Sequence, residues 1–235
     1  MEPATPVVES SAERAYRTIK DAIVRGHLAP GVTVSEAQLA KQLSMSRTPV
    51  HQATARLEAE GWIAIAARSG VTVAPLDPTD LENAYETLMA LEGTAAARLA
   101  RRPISGDDID SLLIEACVRC EEALAADNLT LWAERDNEFH SLLLNSCGNI
   151  HLCRAASTVS DQSHRARLLT VELRPKPVDS NADHRRIVAA VAERNPDAAR
   201  IALEEHRRRG MTTLIPIIRA LSWGAGIQHR PVAIS

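Results

Sequence analysis

The chain has 235 residues, of which 45% are hydrophobic and 24% are charged, and its formal net charge at pH 7 is −3. This length fits two domains of ordinary size, and the composition is that of a globular protein rather than a disordered one. The net charge gives no sign of a nucleic-acid partner, although residues 14–70 carry eight Lys or Arg against four acidic residues.

The segment at the N-terminus, MEPATPVVESSAER, lacks the basic start and apolar core of a targeting signal, and no run of 18 apolar residues occurs. We therefore expect a cytoplasmic protein without a membrane segment. Cys117, Cys120, Cys147 and Cys153 do not form two CxxC pairs, so reduced, partly buried thiols are favoured over a zinc site built from cysteines.

Three short helices and a hairpin are predicted in the first third of the chain. Apolar residues recur at helical spacing over 12–26, and GHLAPG then interrupts the helix. Ser35 and Gln38 form a capping box that opens a second helix. Ser46 caps a third helix, which runs to Glu60 before a glycine. The segment WIAIAARSGVTVAPL, with β-branched residues on both sides of Ser-Gly, indicates a small two-stranded hairpin.

The prolines of APLDPTD indicate a linker, and only helical patterns follow it. The six predicted helices cover 79–101, 106–126, 128–146, 149–173, 178–194 and 197–220. The fold class is therefore mainly α: a winged helix-turn-helix with a small β-hairpin, followed by an all-α bundle of about six helices. The predicted division is a flexible tail at 1–11, the winged domain at 12–75, a linker at 76–80, the bundle at 81–221 and a second tail at 222–235.

The third helix is the candidate for DNA binding. Its helical spacing directs one set of residues away from the core, and Ser46 stands at the start of the helix beside them. The set is Arg47, Thr48, His51, Gln52 and Ala55. Arg47 suits a guanine edge or a phosphate, and the hydroxyls suit phosphates near the start of the helix. Ser69 and Gly70, in the turn of the hairpin, are further candidates. The residues alone leave a solvated face on a small helical domain as an equal alternative.

The segment IVRGHLAPGVTVSEAQLAKQLSMSRTPVHQATARLEAEGW resembles the DNA-binding domain of the GntR family of bacterial transcriptional regulators, above all in SRTPV and LEAEGW. The resemblance implies double-stranded operator DNA as the partner. Three places depart from the family pattern: Ala37 where arginine is common, Ser44 where glycine is common, and His51-Gln52 where Arg-Glu is common. Two fewer arginines imply an operator sequence that cannot be copied from better-matched relatives.

Four residues of the second domain form a candidate metal site. Asp136 and His140 lie one turn apart on the apolar face of one predicted helix. His184 and His206 stand at similar distances from the short RNPD turn that joins two helices, so they should lie side by side in an antiparallel pair. Taken singly, each histidine is more often a hydrogen-bonded core or surface residue; together, the four suit a divalent ion.

The segments DNEFHSLLLNSCGN and DHRRIVAAVAERNPDAARIALEEH resemble the FCD effector-binding domain of the FadR subfamily. This resemblance implies a metal bound by Asp136, His140, His184 and His206, with zinc first and nickel or manganese as alternatives. It also implies a small organic acid as effector, the ligand that controls DNA binding. Leu88 stands where relatives often carry an arginine near the pocket, so the acid would depend more on the metal, or on Arg165 or Arg167 unless both lie on the surface. The alternative is a pocket that accepts a less charged molecule.

The sequence therefore predicts a homodimeric, ligand-responsive transcription factor, a repressor relieved by its effector, that is not an enzyme. Two alternatives remain at this point: a metal-dependent hydrolase or lyase that uses the same site, and a purely structural metal. RNA binding is disfavoured because six aromatic residues are too few to build a stacking platform.

Overall fold

The computed structural model describes residues 9–66, 70–102 and 109–223. The chain divides into two compact units, with the boundary between Pro75 and Leu76. No helix in these ranges is long and apolar enough to cross a membrane.

The described part of the N-terminal unit contains three helices and three strands. In chain order these are α1 (Ser11–Val24), β1 (Thr33–Val34), α2 (Glu36–Gln42), α3 (Arg47–Ala59), β2 (Ile63–Ala66) and β3 (Gly70–Val73). The predicted capping box is present, since the Ser35 hydroxyl accepts from the Gln38 amide and the Gln38 side chain accepts from the Ser35 amide. The unit closes around a buried core that includes Ile19, Leu39 and Trp62.

The wing has one strand more than the predicted hairpin. β3 lies between β1 and β2 and pairs antiparallel with both, with Thr33 opposite Thr72 and Ile63 opposite Val73. β1 is only two residues long, which is too short for an alternating pattern to reveal it in the sequence.

The turn between α2 and α3 has a strained residue. Ser44 adopts a left-handed conformation with φ of 54°, and the Met45 amide donates to the Ala40 carbonyl across it. Glycine is the usual residue at such a position after the end of a helix, because a side chain disfavours the left-handed conformation. The departure from the family pattern at Ser44 thus has a physical consequence, which is backbone strain in the turn.

The C-terminal unit is an all-α bundle, as predicted. Its six described helices are α4 (Pro78–Ala100), α5 (Ile109–Ala125), α6 (Leu129–Ser146), α7 (Ile150–Thr170), α8 (Val178–Ala192) and α9 (Pro196–Trp223), with a 3₁₀ turn at Val171–Leu173 after α7. α4 packs along α9, and α8 and α9 form a hairpin across a turn in which Arg194 has a positive φ of 56°.

Several predicted boundaries need correction. The predicted linker at 76–80 contains the first turn of α4, because Asp77 accepts a hydrogen bond from the Asp80 amide and Pro78 occupies the first helical position. α1 begins at Ser11, inside the predicted tail, because Ser10 caps it. α9 continues to Trp223, two residues into the second predicted tail. Residues 1–8 and 224–235 lie outside the described part.

Candidate metal site and DNA-reading helix

The exposed face of α3 carries the side chains predicted to contact DNA. Val50, Ala53, Thr54 and Leu57 are buried, whereas Ser46, Arg47, Thr48, His51 and Gln52 are exposed. Ser46 starts α3, but its side chain makes no capping hydrogen bond. This face offers one cation and four hydrogen-bonding side chains at the N-terminal end of the helix, where helix-turn-helix proteins contact base edges and phosphates.

Glu36 supports this face from the neighbouring helix, a role that sequence analysis missed. One of its carboxylate oxygens accepts from the Thr54 hydroxyl at 2.6 Å and lies 3.0 Å from His51 Nδ1. These contacts outweigh burial and lower the pKa of Glu36, with the hydrogen bond from Thr54 as the largest cause. The imidazole of His51 is thereby oriented with Nε2 free of Glu36. Glu36 directly follows Ser35, the residue that caps α2. In the sequence it is therefore an ordinary acidic residue in the first turn of a helix, and its contacts with α3 are not evident.

The two candidates in the wing have different outcomes. Ser69 lies outside the described residues. Gly70 has φ of +96°, and a Cβ atom added to it would lie 2.7 Å from the Val34 carbonyl oxygen. Its backbone approach to β1 therefore requires glycine, independently of any contact with DNA.

The four candidate metal ligands meet inside the bundle. Asp136 and His140 come from α6, His184 from α8 and His206 from α9, and all four are buried. Each offers one ligand atom, and these atoms all lie within 4.8 Å of one another. His140 Nε2 is 3.0 Å from His206 Nε2, and His184 Nε2 is 3.3 Å from Asp136 Oδ1. The antiparallel α8–α9 hairpin brings together two histidines that are 22 positions apart in the sequence.

These distances fit a single transition-metal ion. Two ligands bound at about 2.1 Å lie about 3.0 Å from each other at 90° and about 3.4 Å at the tetrahedral angle, and the separations of 3.0 and 3.3 Å fall in this range. Both ring nitrogens of His184 are buried, and neither makes a hydrogen bond of good geometry within the described residues, although Nε2 faces Asp136 and the ring stacks on Phe139 with centroids 4.1 Å apart. A buried imidazole without hydrogen bonds is costly, so a bound ion at its Nε2 would satisfy the one nitrogen that faces the other ligands.

Two further carboxylates lie behind two of the histidines. His140 Nδ1 lies 3.2 Å from Glu92 Oε2, and His206 Nδ1 lies 3.6 Å from Asp183 Oδ2. Arg207 donates to Glu92 at 2.7 Å. A carboxylate that accepts a hydrogen bond from Nδ1 of a histidine favours the tautomer whose opposite nitrogen, Nε2, can bind a metal, and these two carboxylates are close enough to do so after a small shift.

The electrostatics favour the protonation states that bind metal. Burial opposes ionisation of Asp136, but the charge of Arg167 and the contact with His184 lower the pKa of Asp136 well below its usual range. Burial, together with nearby positive charge, lowers the pKa of His140 to about 3 and that of His206 to about 4. At neutral pH the carboxylate is therefore ionised and these two rings are neutral, as metal ligation requires.

Family comparison accounts for both units. Residues 11–73 match the bacterial regulatory proteins of the gntR family, and residues 83–209 match the FCD domain. The chain belongs to the GntR family, in its FCD-containing branch. It is a transcriptional regulator with a DNA-binding helix-turn-helix, and it is not an enzyme, so the hydrolase or lyase alternative has no support.

Individual relatives of this GntR-family chain agree with that assignment. It is 40% identical over 154 residues to an uncharacterised HTH-type transcriptional regulator of Agrobacterium vitis, a match that covers 61% of this chain and 90% of the relative. It is 25% identical over 220 residues to the HTH-type transcriptional repressor GlaR of Escherichia coli, covering 87% and 94% of the two chains. The solved structure of E. coli McbR/YncC superposes with a TM-score of 0.76 at 20% identity, covering 92% and 100%, which shows the shared fold.

Two cavities adjoin the ligand cluster of the FCD domain. A small inner cavity of about 20 Å³ is lined by Asp136 and His206 among others, and an outer one of about 250 Å³ also reaches His206. Of the two arginines predicted to contact an effector, Arg167 lines the inner cavity and its Nε lies 2.9 Å from Asp136 Oδ2. Arg165 is buried but lines neither cavity.

Sequence analysis missed another arginine. Arg174, directly after the 3₁₀ turn, lines both cavities. Its position in the segment RPKP, between two predicted helices, gave no periodic signal. Leu88, the departure from the family pattern, is fully buried in the main hydrophobic cluster and lines neither cavity. The four cysteines are free, and burial raises the pKa of Cys117 to about 12, so this thiol is inert.

Proposed function

We propose that this GntR-family regulator is a repressor whose affinity for operator DNA is controlled by a small organic acid bound beside a divalent metal in the FCD domain. The repressor activity follows the printed name of the E. coli relative GlaR. We further propose that the chain acts as a homodimer, since two identical reading helices suit the two half-sites of a palindromic operator.

The observation that carries this proposal is the convergence of one carboxylate and three imidazoles, from three helices, within 4.8 Å in a buried cluster. Asp136, His140, His184 and His206 would hold the ion, and zinc is proposed first because it favours imidazole and carboxylate ligands. When bound, the ion supplies a positive centre with coordination positions open to an oxygen of a ligand. The residues of the chain itself fix the ligand atoms and exclude bulk water from them.

A structural metal is the alternative that uses the same residues. The cavities favour the regulatory role, since both reach His206 and a small molecule in the outer one would adjoin the ligand cluster. A metal that only stabilised the fold would need no such space. Under the regulatory role, a coupling free energy of about 1–3 kcal/mol would change operator affinity roughly 5- to 150-fold.

Operator affinity is the quantity that tests this function. The full chain would be used to select duplexes from a randomised DNA pool, and the best duplex would be labelled for fluorescence anisotropy. Affinity would then be measured with zinc-loaded protein in the absence and presence of acetate, succinate, malate and citrate. We expect tight, salt-sensitive binding to one sequence and a weaker affinity with at least one acid.

The matched control for this test is the chain after treatment with a chelator. Its DNA affinity should no longer respond to any acid, although the duplex should still bind. If chelation lowers the melting temperature but leaves the response to acids intact, the metal is structural. If no acid changes the operator affinity of zinc-loaded protein, control by an organic acid is contradicted.

A further inference from the structure

The inner and outer cavities of the FCD domain are neighbours that share part of their lining. Arg174, Ser180, His206 and Gly210 contribute to both. The inner cavity also reaches Asp136 and so adjoins the candidate metal ligands. With about 20 Å³ it has room for one water or a single polar group, whereas the outer cavity, at about 250 Å³, has room for a small molecule.

The other basic side chains that line these cavities have acidic partners. Arg167 Nε lies 2.9 Å from Asp136, and Arg207 donates to Glu92 at 2.7 Å. In the outer cavity, Arg209 donates to Asp183 at 2.8 Å. Lys176 pairs with Asp127 at 2.6 Å. Their charges are therefore largely compensated within the protein.

Arg174 differs from them. Its Nε and one terminal nitrogen are buried and have no hydrogen-bond partner among the described residues. The guanidinium carbon lies 5.3 Å from the centroid of the Trp132 ring, a cation–π distance that holds the group in place without satisfying its N–H donors. A guanidinium retains its charge in proteins, and the carboxylates that line these cavities, Asp136, Asp179 and Asp183, make no hydrogen bond to these two nitrogens. Buried donors of this kind are costly until a partner arrives.

The backbone fixes the position of Arg174. The residue has φ of −127° and ψ of 163°, the extended conformation that a following proline favours, and it precedes Pro175. Pro177 is the residue before α8, so rings restrict both ends of the short segment between the 3₁₀ turn and that helix. Binding of a ligand would thus require little additional ordering of this backbone.

We propose that Arg174, rather than Arg165 or Arg167, binds a carboxylate of the effector through its guanidinium, where the outer cavity adjoins the inner one beside His206. This inference rests on the proposed function. A guanidinium and a carboxylate form paired N–H···O bonds whose geometry discriminates an acid from a neutral molecule of the same shape. The role of Arg174 is ligand binding, and it contributes neither to the metal cluster nor to the DNA-reading face.

Isothermal titration calorimetry of the zinc-loaded full chain tests this role. The probes are acetate, succinate, malate and citrate, with succinamide as the neutral match for succinate and inorganic phosphate as an anion of another class. For the acid that binds best, Arg174→Gln should weaken binding about 10- to 100-fold, because charge-assisted hydrogen bonds are lost. Arg174→Lys should recover part of the affinity, and succinamide should not bind.

Arg219→Gln is the matched control, since Arg219 belongs to the same unit, pairs with Glu82 at 2.6 Å and lines neither cavity. It should leave acid binding within about twofold, because an exposed ion pair contributes little. Metal content, operator affinity without acid and the circular dichroism spectrum should be unchanged in Arg174→Gln, which separates loss of the ligand contact from misfolding.

Equal acid affinity in Arg174→Gln and the unaltered chain overturns the inference, and so does a zinc-loaded chain that binds none of the four acids at millimolar concentration. Binding of phosphate but not of carboxylates, with loss in Arg174→Gln, would assign the residue to a different ligand class and also overturn it. Failure of the proposed function alone has another signature, namely an acid that binds the unaltered chain and loses affinity in Arg174→Gln but does not change operator affinity.

Discussion

Asp136→Asn removes the negative charge from the candidate metal site while keeping the shape of the side chain. Asp136 is 1% exposed, its Oδ1 lies 3.3 Å from His184 Nε2, and it is the one anionic group among the four candidate ligands. An amide oxygen is a much weaker ligand for zinc than an ionised carboxylate. We therefore expect zinc affinity to fall by about 100-fold or more, beyond the roughly 10- to 100-fold typical of residues that only support ligands.

The thermal consequence follows from linkage. An ion that binds only the folded chain, at a free concentration about 100 times its Kd, stabilises that chain by about 2.7 kcal/mol. For a protein of this size, that corresponds to a rise in Tm of roughly 5–11 °C. After a 100-fold loss of affinity, the same zinc concentration only equals the Kd, and the stabilisation falls to about 0.4 kcal/mol, or roughly 1–2 °C.

Differential scanning calorimetry at one fixed concentration of free zinc measures this directly. Each protein is compared with itself after chelation, so any effect of the substitution on metal-free stability, such as the loss of the partner of Arg167, cancels. Asp110→Asn is the control, because Asp110 pairs with Arg194 at 2.8 Å and is not one of the four ligands. An equal zinc-dependent rise in Asp136→Asn and in Asp110→Asn refutes the reasoning.

Three further predictions concern the DNA-binding unit. Ser44→Gly should raise the free energy of unfolding by about 0.5–1 kcal/mol in urea titrations, because it relieves the left-handed strain at φ of 54°; a decrease would contradict that explanation. Burial acts to raise the pKa of Glu60, but a hydrogen bond from Tyr16 helps to bring this pKa below its ordinary 4.5. Glu60 thus contributes stability above pH 4.5 that is lost as the pH falls through its lowered folded-state pKa, so Glu60→Gln should cost about 1–2 kcal/mol at pH 7 and progressively less at lower pH. An unchanged difference across that pH range would refute this linkage. Arg47→Ala should weaken operator binding at least about 10-fold by fluorescence anisotropy, and an unchanged affinity would remove Arg47 from the DNA-binding residues.

Much of the fold could be predicted because its signals are local. The caps at Ser35 and Ser46 and the helical spacing across the second unit indicated a winged helix-turn-helix and a helical bundle, and the fold class is confirmed. The two-residue strand β1 was missed because it exists only through pairing with β3. The start of α4 was placed late, since Asp77 and Pro78 indicate both a linker and a helix cap when read alone.

The residues of the site also differ in whether a local sequence signal reveals them. The juxtaposition of His184 and His206 could be predicted because a short turn forces their helices to pack antiparallel. The position of Glu92 beside His140 could not be predicted, because this contact joins α4 to α6. An isolated glutamate in a helix normally indicates a solvated face. The position of Arg174 in the cavity lining could not be predicted either, since cavities form only when several distant segments pack together.

We propose that each chain carries a metal ion that adjoins the site of an organic acid. Native mass spectrometry of untagged protein, purified without chelator, reports subunit count, metal content and any retained small molecule in one spectrum. We predict a dimer with one zinc, nickel or manganese ion per chain and an added mass that matches a small carboxylic acid. A metal-free protein that takes up none of these ions when they are supplied would contradict the account.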